Sequence, residues 1–144
     1  MSLHTKTLAQ LAAGLHARDF SSVELTRELL ARIETHQPVL NALISVTATS
    51  AMQEAAAADG VLARGGGGPL TGIPLVHKDI FCTEGVRTTC ASRMLDNFVA
   101  PYDATVVAKL KAEGMVMLGK ANIDRKSTRL NSSHLARSRM PSSA

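Results

Sequence analysis

Residues 72–81, GIPLVHKDIF, contain the stretch that decides the fold. Ile73 to Val76 are apolar, as are Ile80 and Phe81, and turn-forming residues bound both groups. Short apolar runs bounded in this way are typical of buried strands. We therefore predict a strand over about 73–77 and buried strand structure at Ile80 and Phe81 as well.

A helix and another strand are predicted downstream of this stretch. Asp103 can cap a helix over about 104–113, and Gly114 is placed to end it in the left-handed conformation. Residues 115–119 begin with four apolar side chains in a row, which predicts a second buried strand. A strand, a helix and a strand at this spacing predict an α/β fold, in which helices cover the faces of a sheet.

The N-terminal part of the chain predicts helices. Thr7–Gln10 and Ser21–Glu24 both fit a capping box, in which the first side chain and the fourth satisfy each other's backbone N–H groups. Pro38 should end the second helix, because the residue before a proline avoids the α conformation. An Ala-rich run favours a third helix, and residues 40–46 favour a short strand. The three predicted helices span about 8–18, 22–36 and 48–62.

The positive charge is concentrated at the C-terminus. The chain of 144 residues has 16 basic and 12 acidic side chains, a net charge of +4, but residues 125–144 hold five of the basic ones and no acidic one. Residues 1–124 are therefore close to neutral. The last segment is also rich in Ser, and its large apolar residues follow no helical or strand period, so we expect it to be disordered.

Cysteine content and hydropathy suggest a cytoplasmic protein. The start of the chain does not resemble a secretory signal, and no stretch approaches the roughly 20 apolar residues that cross a bilayer. Cys82 and Cys90 lack the spacing of a metal site. Free thiols are the expectation, and one disulfide between them stays open as an alternative.

The motif GIPxxxKD at residues 72–79 resembles the first signature of the amidase-signature family. The resemblance continues through GVRTTCASRMLDNF (85–98), YDATVVAKLKAEG (102–114) and MLGKANID (117–124), and it covers residues 1–124. Within the family, the order of TTCAS, DNF and PYDATVV is most similar to the A subunits of glutamyl-tRNA(Gln) amidotransferases. The resemblance thus implies the N-terminal part of a mixed-sheet α/β/α domain.

The resemblance also implies a mechanism and a role for one residue. Family members hydrolyse amides with a Ser–Ser–Lys triad, and the motif places its lysine at Lys78. A lysine acts as a base only when neutral, and desolvation favours that form. Asp79 is expected to fix local structure only. Both triad serines belong to a downstream Gly/Ser-rich segment that this chain does not contain, so we expect no amidase activity from the chain itself.

The resemblance implies partners as well. In such enzymes the A component releases ammonia from glutamine, and subunits B and C use it to convert Glu-tRNA(Gln) to Gln-tRNA(Gln). ATP and Mg²⁺ are implied for the whole complex through a partner subunit, whereas no cofactor or metal is expected on this chain. An amidohydrolase of the same family that acts on small amides is the alternative.

Two other patterns point to different functions. Residues 114–120 match the start of a phosphate-binding loop, GxxxxGK, but Ala121 replaces the Ser or Thr that would hold Mg²⁺, and an apolar core strand is the preferred interpretation.

Residues 124–134, DRKSTRLNSSH, resemble the translation of a sequencing adapter, so we expect residues 125–144 not to be native to the enzyme. A basic arm that binds nucleic acid is the alternative, and Ser132 and Ser133 are not assigned as nucleophiles.

Overall fold

The computed structural model describes residues 2–123. It contains four α-helices, three strands and two short 3₁₀ helices within those residues. In chain order the regular elements are α1 (Leu8–Ala17), α2 (Ser22–Leu40), β1 (Leu43–Val46), α3 (Ala48–Ala63), β2 (Pro74–Lys78), α4 (Thr105–Ala112) and β3 (Val116–Ala121). The 3₁₀ helices are Leu3–Thr5 and Arg93–Leu95. The predicted disorder of residues 125–144 lies outside the described residues.

The three strands form one mixed sheet with β3 at its centre. β2 pairs with β3 in parallel, and β1 pairs with β3 antiparallel. The segment between β2 and β3 includes α4, as the strand–helix–strand pattern predicts. The α/β class expected from the sequence is confirmed, and the parallel pair brings the C-terminal ends of β2 and β3 to the same edge.

The helices pack on the sheet through two clusters of buried side chains. One cluster joins α1, α2 and the end of α3 to the segment before β2, with Leu15, Leu25, Leu62 and Ile73 at its centre. The other joins α3 to β3 through Ala51, Ala55, Val116 and Leu118. The small alanines of α3 let that helix lie close to the central strand. None of the helices among residues 2–123 is both long and apolar enough to cross a membrane.

Both N-terminal helices begin with the capping boxes that the sequence predicts. The Thr7 hydroxyl accepts from the Gln10 N–H, and the Gln10 side chain accepts from the Thr7 N–H. Ser21 and Glu24 make the equivalent pair at the start of α2. In addition, the Asp59 carboxylate accepts from the backbone N–H groups of Ser22 and Val23.

Three local expectations are wrong. α2 does not end before Pro38 but continues through it to Leu40, and Asn41 then adopts a positive φ of 45°. Pro38 cannot donate the helical hydrogen bond to the carbonyl four residues earlier, and the helix ends two residues after it. Ile80 and Phe81 are not in a strand: they lie in the turn after β2 and are 54% and 37% exposed. Asp103 does not cap α4, since its carboxylate accepts from the Glu84 N–H and from Lys111.

One side of the molecule is an open apolar groove. A space of about 410 Å³ lies between α2 and the sheet, lined chiefly by aliphatic side chains such as Leu29, Leu40 and Leu75. Leu40 is 67% exposed and Val76 of the edge strand β2 is 40% exposed. The described residues therefore leave part of the sheet uncovered, as expected for part of a larger domain.

Candidate functional site

Lys78 is the last residue of β2. It pairs with Ala121 in the parallel ladder, and the next N–H, that of Asp79, donates to the Ala121 carbonyl at 3.0 Å. Side chains alternate between the faces of a strand, so Lys78 points away from the face that holds His77. Lys78 is exposed while His77 is buried. The structure thus presents the lysine at the open C-terminal edge of the sheet.

A tight turn follows Lys78 directly. The Phe81 N–H donates to the Lys78 carbonyl at 3.1 Å, which closes a four-residue turn. The Phe81 carbonyl in turn accepts a hydrogen bond from the Lys120 ammonium of β3. The backbone of Lys78 is therefore linked through one residue to a side chain of the central strand.

Lys120 is a buried charge to which no sequence motif assigned any chemistry. It has no exposed surface, and it lies opposite His77 in the parallel ladder. Burial lowers the pKa of Lys120 below its usual value, whereas the nearby Asp79 carboxylate acts in the opposite direction. No sequence pattern indicates its burial, because a lysine at the end of an apolar run such as that from Met115 is ordinarily exposed to solvent. The phosphate-loop match at residues 114–120 ends at Lys120, and most of its residues form the core strand β3.

His77 is the second buried titratable group of this face. It is 6% exposed. Burial and the positive charge of Lys120 lower the pKa of His77, and the Asp103 carboxylate opposes them. A neutral imidazole next to a buried ammonium is the arrangement with the lower electrostatic cost.

Asp79 is fully buried and organises the loop after the strand. Its Oδ2 accepts from the Thr89 N–H at 3.0 Å and from the Thr89 hydroxyl at 2.5 Å. Its backbone carbonyl accepts from the Cys90 N–H at 3.2 Å. Its Oδ1 is buried and makes no hydrogen bond within residues 2–123. These contacts match the structural role expected for Asp79.

The turn that Asp79 holds has an uncommon backbone. The Ser92 N–H donates to the Thr89 carbonyl at 2.8 Å, and the two central residues, Cys90 and Ala91, have positive φ values of 49° and 54°. Positive φ at both central positions is the mark of a type I′ turn, which normally takes Asn and Gly. Neither Cys nor Ala favours this conformation, so the surrounding contacts must hold it.

Lys78 stands at the C-terminal edge of the sheet, and the glycine-rich run at residues 65–68 contains no serine. No group of three or more His, Cys, Asp or Glu side chains between residues 2 and 123 could hold a metal ion. Cys82 and Cys90 are free thiols there. The arrangement therefore provides a solvent-exposed lysine on a backbone that hydrogen bonds hold in place.

Comparison with known proteins places these features in a wider group. The sequence profile of the family described as Amidase matches residues 24–139. The glutamyl-tRNA(Gln) amidotransferase A subunit of Alkalilimnicola ehrlichii is 63% identical over 122 residues, which are 85% of this chain and 25% of that protein. The protein with the same description from Methylococcus capsulatus is 62% identical over the same shares. The crystal structure of the peptide amidase from Stenotrophomonas maltophilia is similar with a TM-score of 0.78 at 34% identity, over 84% of this chain and 25% of that one.

The matches also show how much of each protein is related. This chain spans a quarter of the length of the relatives that it matches. The family profile extends past Asp124, the residue at which we expected the resemblance to stop.

Proposed function

Since the chain belongs to the amidase family, we propose that it is the N-terminal part of the A subunit of a glutamyl-tRNA(Gln) amidotransferase, a glutaminase with Lys78 as the lysine of its Ser–Ser–Lys triad. The identity of 63% with a protein of that description supports this choice, against 34% with a peptide amidase. The observation that carries the role of Lys78 is its position within GIPLVHKD at the open C-terminal end of β2.

The proposed chemistry assigns one task to this chain. Lys78 takes the proton that the nucleophilic serine loses through the second serine, and it returns that proton to the leaving ammonia. It must be neutral to begin the cycle, and a lysine becomes neutral more readily when it is desolvated. Because its side chain is exposed here, the desolvation has to come from the Gly/Ser-rich segment of the longer protein closing over the sheet edge.

The partners follow from the same proposal. Ammonia released from glutamine passes to subunits B and C, which form Gln-tRNA(Gln) from Glu-tRNA(Gln), and the proposal assigns ATP and Mg²⁺ to a partner subunit. The chain alone is proposed to be inactive because it lacks both serines. The cytoplasm is the compartment in which such a complex would meet its tRNA substrate.

A chimera tests the proposed role directly. Residues 1–123 would replace the matching part of the A. ehrlichii protein, and the product would be purified with that organism's B and C subunits. We expect glutamine hydrolysis and Glu-tRNA(Gln) amidation. In the chimera, Lys78→Met should lower glutamine hydrolysis by about 10²- to 10⁴-fold, the usual contribution of a general base.

A matched lysine variant provides the control. Lys109→Met changes an exposed lysine of α4 and should leave both activities unchanged. A Lys78→Met chimera as active as its parent would refute the assignment of Lys78. A chimera that hydrolyses small amides but neither glutamine nor, with B and C, the tRNA-bound substrate would favour the small-amide amidohydrolase.

The source DNA across codon 124 tests the origin of the last segment. We expect the reading frame to continue into an acidic and aromatic stretch and then a Gly/Ser-rich segment, as a complete triad requires. DNA that encodes RKSTRLNSSH and then stops would contradict this expectation. Salt-dependent nucleic-acid binding that is lost with residues 125–144 would then become the function to study.

A further inference from the structure

Two fully buried charges lie directly behind Lys78, and the proposed mechanism uses neither. Asp79 and Lys120 each have no exposed surface. Burying a charge is costly unless another charge and hydrogen bonds compensate it. A lysine and an aspartate at this depth, one residue and one strand away from Lys78, require a reason other than folding stability alone.

Lys120 reaches the backbone of Lys78 through a single intermediary. The Lys120 ammonium donates to the carbonyl of Phe81, and the N–H of Phe81 donates to the carbonyl of Lys78 at 3.1 Å. Phe81 is itself 37% exposed, so its side chain does little to hold the turn. The Thr83 hydroxyl also donates to the Phe81 carbonyl, at 3.3 Å, and the charged hydrogen bond from β3 ties this far end of the turn to the sheet.

Asp79 fixes the other side of the same segment. Its carboxylate and its carbonyl accept hydrogen bonds from Thr89 and Cys90, which hold the strained turn over residues 89–92 against the end of β2. The ladder bond from the Asp79 N–H to Ala121 completes the set. Hydrogen bonds to β3, within the turn over residues 78–81 and to residues 89–90 therefore all hold the backbone that follows Lys78.

The Asp79 carboxylate and the Lys120 ammonium interact through space, and no hydrogen bond joins the two side chains in the described chain. The Asp79 carboxylate is the largest influence that favours the charged form of Lys120. His77, Cys82, Cys90 and Asp103 are the other titratable groups that act on this face. Removal of the ammonium would leave the Asp79 carboxylate buried without an opposite charge beside it, with one oxygen that already lacks a hydrogen-bond donor in the described chain.

We propose that Lys120 is a positioning residue: its hydrogen bond to the Phe81 carbonyl locks the turn after β2 so that the side chain of Lys78 leaves the sheet edge from one fixed backbone position. That this position serves amide hydrolysis rests on the function proposed above. The locking itself does not, and it can be measured on this chain without any enzymatic activity.

The test compares three variants of the 144-residue chain by NMR. Lys120→Met removes the ammonium and keeps the side-chain length. Lys120→Met/Asp79→Asn removes both charges and avoids an unpaired buried carboxylate. Lys109→Met removes an exposed lysine as the control. The readouts are hydrogen exchange of the Phe81 amide and the ¹³Cε signal of Lys78 followed over pH, assigned with Lys78→Gln.

The locking role has a defined signature. Both Lys120 variants should exchange the Phe81 amide about 10- to 100-fold faster, as the loss of a hydrogen bond from a charged donor implies. The Lys78 signal should shift or broaden in both and stay unchanged in Lys109→Met. A merely structural role of Lys120 would lower global stability without moving the Lys78 signal of the folded protein.

Each other outcome counts against the proposal. If the single variant does not fold, the double variant decides, because it leaves no lone buried charge. A folded double variant with parental Phe81 exchange and a parental Lys78 signal would overturn the locking role. If neither variant folds while Lys109→Met does, the pair supports the whole fold and not the turn, which also overturns it. A positive NMR result together with an active Lys78→Met chimera would retain the locking and reject the proposed function alone.

Discussion

Gly119→Ala should destabilise the protein more than its size suggests. Gly119 lies in the central strand β3, opposite Val46 of β1. A Cβ at this position would overlap the carbonyl oxygen of Ser45 and come within 3.2 Å of the Val46 Cα. Both neighbours are backbone atoms, so rotation of a side chain cannot relieve the overlap. The two strands must move apart.

The expected cost follows from overpacking in a rigid environment. Added methyl groups in packed cores cost about 1–3 kcal/mol when side chains can adjust, and here the backbone has to move, so we expect about 3 kcal/mol. In a unit of this size each kcal/mol lowers Tm by about 2–8 °C, so a cost of about 3 kcal/mol should lower Tm by about 6–24 °C. Urea and thermal unfolding followed by circular dichroism would measure both quantities.

Gly60→Ala is the matched control, since it adds the same methyl group elsewhere. Gly60 lies in α3, and the nearest atom to its added Cβ is the tip of the flexible Arg64 side chain at 3.8 Å. Alanine favours the helix over glycine, so this variant should gain about 0.5–1 kcal/mol. Hydrogen exchange at the β1 amides would show whether Gly119→Ala detaches that edge strand. Equal stability of Gly119→Ala and the parent, with β1 still protected, would refute the reasoning.

Three further predictions concern charge and capping. Interactions with the His4 and Ser2 side chains lower the pKa of Glu28 to about 2. The ionised Glu28 carboxylate therefore stabilises the fold above its ordinary pKa of 4.5, and this stabilisation is lost as pH falls toward 2. Glu28→Gln should lower the urea midpoint at pH 7 but not at pH 2. Burial lowers the pKa of His77 below its ordinary value of 6.5. The unfolded chain therefore binds a proton at this position first as pH falls, and the stability of the fold should decrease below pH 6.5. His77→Gln should make that decrease less steep, and an unchanged slope would contradict this prediction. Asp59→Ala leaves the N–H groups of Ser22 and Val23 without their acceptor, which should cost about 1–3 kcal/mol in urea unfolding, whereas Asp59→Asn should cost less because it keeps one acceptor.

The features that could be predicted from sequence are those that neighbouring residues determine. The capping boxes at Thr7 and Ser21 are complete within four residues, so their hydrogen bonds require nothing from the rest of the chain. The same holds for Gly114, whose positive φ of 77° follows α4 as expected. The motif GIPLVHKD singles out Lys78 in a similar way, from neighbouring residues alone, and its role in a triad stays a prediction.

The wrong expectations have non-local causes. Pro38 was expected to end α2, but Gln37 bonds to the backbone of Leu43 through both ends of its amide and holds the last turn in place. Asp103 was expected to cap α4, but the Glu84 N–H, 19 residues earlier, takes its carboxylate. In each case a partner outside the window of the pattern competes with the local preference.

Lys120 shows most clearly what a pattern cannot contain. Hydrophobic periodicity assigns β3 correctly to the core, and the same pattern would place a lysine at its solvent-exposed end. The ammonium is buried because the turn after β2 brings the Phe81 carbonyl, 39 residues earlier in the chain, close enough to accept its hydrogen bond. That carbonyl is available only because Ile80 and Phe81 form a turn where an apolar pattern predicts a strand. The wrong expectation of a strand at Phe81 and the unexpected burial of Lys120 therefore have one cause, and both concern the turn that follows Lys78. A conflict between local pattern and structure is expected where function constrains the backbone, and here that conflict adjoins the residue proposed to act as the base.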